Sequence, residues 1–120
     1  MAIRIDCKRF LEIVSACEEQ PNQDLFLAEY GVPKWILKEV TNDEKQAVEI
    51  IKKIHHITHI KPRDLIAESG LTQTRFAERF MIPLRTVQNW CGGQRTMPRY
   101  EKFMFATILD LLHDIEIINK

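Results

Sequence analysis

TQTRFAERFMIPLRTVQNWCG, residues 72–92, holds two short helical patterns joined by a tight break. Thr72 suits an N-cap, because its hydroxyl can accept from a free amide of the first turn. Phe76, Ala77 and Phe80 follow at helical spacing. Ile82-Pro83 interrupts the run: the residue before a proline is pushed out of the helical region, and proline is well suited to restart a helix. Val87 and Trp90, three apart, make the buried stripe of the second helix. Gly92-Gly93 stops it, since glycine takes left-handed backbone without steric cost.

This stretch resembles the helix-turn-helix of the phage-repressor-like (Cro/repressor) DNA-binding family. The matching residues are Thr72-Gln73, Phe76-Ala77, Ile82, Val87, Trp90 and Gly93, and the resemblance spans roughly residues 61–112. Ala77 fits a steep helix crossing, which needs a small side chain where the helices meet. The resemblance implies that the second helix enters the major groove with its first residues at base edges. Carried over by position, Leu84, Arg85, Gln88 and Asn89 are the base readers. An arginine forks onto guanine and a glutamine or asparagine pairs with adenine. Gln73, Thr74 and Thr86, at helix starts, are expected at phosphates, with Arg95 and Arg99 adding backbone contacts. The face of Arg75 points sideways from this set. Two positions depart from the family pattern. Met81 stands where the turn usually has glycine, at a cost of about 1 kcal/mol if the backbone is left-handed there. Cys91 follows Trp90, where the family often has an acid. An ordinary helical hairpin would share the apolar spacing.

Charge agrees with an anionic partner for this segment. Net charge over the 120 residues is zero, but residues 71–100 carry five arginines, Arg75, Arg79, Arg85, Arg95 and Arg99, against Glu78 alone. Residues 101–120 and residues 1–60 each carry a small acidic surplus. The length suits one compact domain or a small domain with an appendage. The 45% hydrophobic content is enough for a core. No apolar run approaches the roughly 20 residues a membrane span needs. The start, MAIRIDCKRF, lacks a secretory core. Cys7, Cys17 and Cys91, an odd count without paired spacing, suit a reducing cytoplasm.

Outward from the motif, the pattern is helical throughout. Residues 6–19 form a helix with Cys7, Phe10, Leu11, Val14 and Cys17 on one face and Asp6 as cap. Residues 23–30 form a short helix ended by Gly31-Val32-Pro33. Residues 34–40 lean towards helix, because nothing nearby reads as a strand partner. Thr41 to Glu44 fits a capping box, opening a helix to about His59. Pro62 to Ser69 is a short helix stopped by Gly70; in the family it buttresses the motif. Pro98 opens a closing helix of about 30 Å through Ile108, Leu111, Leu112, Ile115 and Ile118. The expected fold is therefore all-α, with six or seven helices in two parts. Residues 1–60 are an N-terminal helical extension for packing, dimerisation or partner binding. Residues 61–120 are the DNA-binding domain, whose closing helix offers apolar surface to a second copy.

No residue set supports an enzyme: there is no Gly-rich phosphate loop and no nucleophile with a positioned base. His55 and His59 lie one turn apart, but no further ligand stands nearby, and a solvated helix end explains them better than a metal. The sequence therefore predicts no metal and no cofactor. It predicts a small cytoplasmic regulator of transcription bound to double-stranded DNA, acting as a homodimer. The alternative is an adaptor, such as an antitoxin or a plasmid-transfer accessory factor, whose N-terminal half binds a protein through Trp35 while the motif delivers it to DNA.

Overall fold

Residues 3–118 are described in the computed structural model. They divide into two units, residues 3–59 with 112–118, and Ile60–Leu111. Both are mainly helical, as the periodicity predicts.

The first unit is organised by two amphipathic helices, α1 (Cys7–Glu19) and α3 (Glu44–His59). Asp6 caps α1, its carboxylate accepting from Arg9 N at 2.9 Å. The buried face is Phe10, Ile13, Val14 and Cys17. This rotates the expected stripe: Ile13 is fully buried, whereas Leu11 is 49% exposed and Cys7 lies in solvent. Helix α3 buries Ile50, Ile51, Ile54 and Ile57. Each such isoleucine contributes about 1.5–3 kcal/mol relative to exposure. Its cap is Asp43, which accepts from Lys45 N and Gln46 N, and not Thr41. Thr41 instead accepts from Asp43 N and donates to Gln46 Oε1 at 2.7 Å, tying down the approach to the helix. Between them run α2 (Gln23–Tyr30) and a π-helical segment, Ile36–Val40. Trp35 is half-buried beneath the Arg9 guanidinium, 4.8 Å from its ring centre, and Arg9 also pairs with Glu39. It is therefore not the exposed anchor that the adaptor reading requires.

The histidines of α3 are not at a solvated helix end. His55 is 2% exposed, and its Nε2–H donates to Gln20 O at 2.7 Å. His59 Nε2–H donates to Cys17 O at 2.6 Å. Both acceptors lie at the end of α1, Gln20 being its C-cap and Cys17 O also accepting from Gln20 N at 3.3 Å. The two imidazoles, 4.6 Å apart, thus cap one helix from the flank of another.

The closing helix is the largest departure from the sequence reading. It ends at Ile108, and residues 115–118 form a strand. β1 (Ile3–Asp6) and β2 (Ile115–Ile118) pair in parallel, Ile3 opposite Ile115 and Asp6 opposite Ile118. Ile3 and Ile5 point inward and Arg4 outward, the period-two signature of a strand. Asp110 and Asp114, at φ 58° and 73°, break the helical path before β2. Leu112 is buried and Ile115 and Ile118 are committed to the sheet, so the surface expected to meet a second copy is largely used within the chain.

The second unit contains α4 (Pro62–Glu68), α5 (Gln73–Phe80), α6 (Leu84–Gly92) and α7 (Arg99–Ile108). Its core is an aromatic cluster. Phe105 lies 4.9 Å from Phe76, 4.7 Å from Phe80 and 6.0 Å from Trp90 between ring centres. Leu65, Ala77 and Val87 are buried beside it.

Candidate nucleic-acid interface

Helices α5 and α6 meet through a turn whose geometry follows from three residues. Thr72 Oγ1 accepts from Arg75 N at 3.1 Å and starts α5. Met81 ends it at φ 54°, ψ 42°. Ile82 N donates to Ala77 O and Met81 N to Glu78 O, the two bonds of a Schellman stop. The turn therefore keeps its left-handed residue although glycine is absent. Met81 is 92% exposed, so its side chain is not recruited into the core in exchange. Pro83 then fixes the start of α6, with Val87 N donating to Pro83 O.

Successive residues of a helix turn by about 100°. On that wheel Leu84, Gln88, Gly92, Arg85 and Asn89 fall within one arc of about 140°, opposite Val87 and Trp90. Burial follows the same division. Val87 and Trp90 are 0% and 7% exposed, Leu84 is 37% exposed, Arg85 and Gln88 are exposed, and Asn89 is half-buried. The four residues assigned to base reading thus share one outward face. Gln73 and Thr74 occupy the first two positions of α5, half-buried and exposed respectively, before the first intrahelical bond from Phe76 N to Thr72 O. Thr86 is half-buried at the edge of the α6 face. Arg95 and Arg99 are exposed beyond the end of α6, which closes on Gly93 at φ 81°. Arg75 forms an exposed ion pair with Glu78 at 3.7 Å. Arg79 lies 5.8 Å from the Phe80 ring centre.

Cys91 is half-buried, and burial raises its thiol above the ordinary value, opposed by the nearby Arg63 guanidinium. A neutral thiol after Trp90 adds no negative charge beside α6. No group of three or more potential metal ligands lies together among the described residues.

Lys61, Arg63 and Lys102 lie outside the arginine-rich residues 71–100. These line the same open hollow as Arg95, beside Gly92 and Gly93. Their grouping around one hollow depends on the start of α4 lying beside the end of α6. The chain matches no protein-family model, no curated protein and no solved structure.

Proposed function

We propose that this protein binds double-stranded DNA sequence-specifically through α5 and α6 and acts as a small cytoplasmic regulator of transcription. The observation that carries the reading is the exposed face of α6. It holds one arginine and two carboxamides, the side chains able to make bidentate contacts to guanine and adenine, and it backs directly onto the buried Val87 and Trp90. Arg95 and Arg99 supply cations beside it, where a phosphate backbone would run.

The homodimer expected from the closing helix now rests on a shorter stripe. Tyr100, Met104 and Ile108, one turn apart on α7, are 67%, 56% and 53% exposed. Two-fold pairing of that stripe would present two α6 helices to two half-sites. Light scattering at micromolar concentration reads the mass directly, and a strict monomer on and off DNA removes the dimer.

The decisive experiment separates base reading from backbone positioning. Affinity is measured for a selected duplex and its scrambled counterpart, over a salt series, for the wild type, Arg85→Ala and Arg95→Ala. Arg85→Ala should lose roughly 1–3 kcal/mol of discrimination at one base pair. Arg95→Ala should weaken both duplexes alike and lower the salt slope by about one unit. Absence of any preferred duplex for the wild type at low salt overturns the function; equal weakening of both duplexes by Arg85→Ala overturns its assignment as a reader.

A further inference from the structure

We infer that the hollow at the end of α6 is a phosphodiester cradle, in which Lys61 and Arg63 hold the DNA backbone beyond the bases that α6 reads; the inference rests on the DNA-binding reading above. The hollow measures about 720 Å³ and is walled by the start of α4, residues Lys61 to Asp64, and by the end of α6 with the loop after it. Its apolar floor is Trp90 and Met97, which are 7% and 4% exposed. Its rim is cationic: Lys61, Arg63, Arg95 and Lys102 face Asp64 as the one carboxylate. Lys61, Arg63 and Arg95 are exposed and carry no ion pair among the described residues.

Three features favour a polymer backbone over a compact anion. The hollow adjoins the outward face of α6, since at about 100° per residue Gly92 falls inside the arc from Leu84 to Asn89, on the same side as Arg85 and Gln88. A strand whose bases meet Arg85 and Gln88 therefore reaches the hollow without changing direction. The wall at that end is Gly92-Gly93; Gly93 has open space where a Cβ would stand, whereas the Gln94 carboxamide lies over Gly92. The cations are spread around an open rim, as successive phosphates require, and do not converge on one point. Lys61 and Arg63 come from a helix the sequence assigned only to buttressing.

The test uses the full chain, a duplex selected for tight binding, and the double variant Lys61→Ala/Arg63→Ala, with Lys61→Arg/Arg63→Lys as the charge-keeping control. Each phosphate contact contributes about 0.9 to the slope of log affinity against log salt. The double variant should therefore have a slope shallower by about two units and bind roughly 50-fold more weakly at 0.1 M salt. Its preference for the selected over the scrambled duplex should stay within about twofold, because backbone contacts carry no sequence information. The control should keep the wild-type slope. Inorganic phosphate at constant ionic strength, with the Gly92 and Gly93 amides followed by NMR, tests for a free-anion site. A wild type that binds no duplex takes down the DNA-binding reading and this inference together. A wild type that binds duplex while the double variant keeps its slope and affinity overturns the cradle alone. Saturation of the two amides by millimolar phosphate with an unchanged duplex slope also overturns it, in favour of a free-anion site.

Discussion

Replacing Met81 by glycine should raise the stability of the second unit, and the size of the gain can be worked from the turn. Met81 sits at φ 54°, ψ 42°, a region where Cβ crowds the following carbonyl. That crowding costs about 1–2 kcal/mol for a residue with a side chain. Glycine removes it but adds freedom to the unfolded chain, which offsets about 0.4–1 kcal/mol. The side chain is 92% exposed, so truncation surrenders almost no buried area. The Ile82 N to Ala77 O bond, 2.9 Å, and the Met81 N to Glu78 O bond, 3.3 Å, are main-chain and survive. The net expectation is a gain of about 0.5–1 kcal/mol, or roughly 2–6 °C in Tm for a small domain. Denaturant unfolding followed by Trp90 fluorescence, in a Trp35→Phe background, confines the readout to this unit. Met81→Ala should change little, because it keeps the crowding, and Gly93→Ala should lose about 1 kcal/mol at its φ of 81°. If Met81→Gly leaves the midpoint unchanged or lower while Gly93→Ala destabilises, the turn is not strained at Met81 and the argument fails.

Burial holds the His55 imidazole below its ordinary value of 6.5, opposed by its bond to Gln20 O and assisted by His59 and His56. The folded state therefore favours the neutral ring. The stability this contributes is present above about pH 6.5 and is lost as pH falls through the lower folded value. Urea midpoints of the first unit should drop between pH 7.5 and 5, and His55→Gln should flatten the drop; an unaltered pH profile in the variant would assign it elsewhere. Cys17 is fully buried and its thiol is pushed up to about 12, so iodoacetamide should modify the exposed Cys7 in the native protein and reach Cys17 only on unfolding, as mass spectrometry will report. Ile13→Ala should cost about 2–5 kcal/mol and Leu11→Ala under about 0.5, which thermal melts can separate; similar losses would restore the face first read from spacing.

What the sequence made legible was local. Residues 72–92 fix their own caps, break and buried stripe within a few residues, and the observed α5 and α6 follow that reading, with Thr72 capping and Val87 and Trp90 inside. The pairing of β1 with β2 was not legible. Each strand is four residues long, and the partners are separated by more than a hundred positions. Ile108, Leu111, Leu112, Ile115 and Ile118 also satisfy a helical period, so spacing alone favours one long helix. The histidines were misread for a similar reason: their acceptors, Cys17 O and Gln20 O, are backbone atoms of another helix and leave no mark in the sequence around α3. The basic hollow likewise combines residues from three separate stretches.

The stops of the second unit explain why glycine was an incomplete guide. Helices α5, α6 and α7 end in the same pair of main-chain bonds around a left-handed residue, and that residue is Met81, Gly93 and Asp110 in turn. The bonds from Ile82 to Ala77, Gln94 to Asn89 and Leu111 to Ala106 span the same five positions. Only the middle stop uses the residue that adopts this backbone without cost, and it is the one that closes α6. There the absence of a side chain has a second consequence, because Gly93 leaves its main chain open at the hollow, while the Gln94 carboxamide covers Gly92. Met81, Gly93 and Asp110 all face solvent, so exposure does not set them apart. Position-specific cost, and not the stop itself, therefore distinguishes the three. Any side chain at Gly93 should cost stability, because at its φ of 81° a Cβ is strained whatever the space around it.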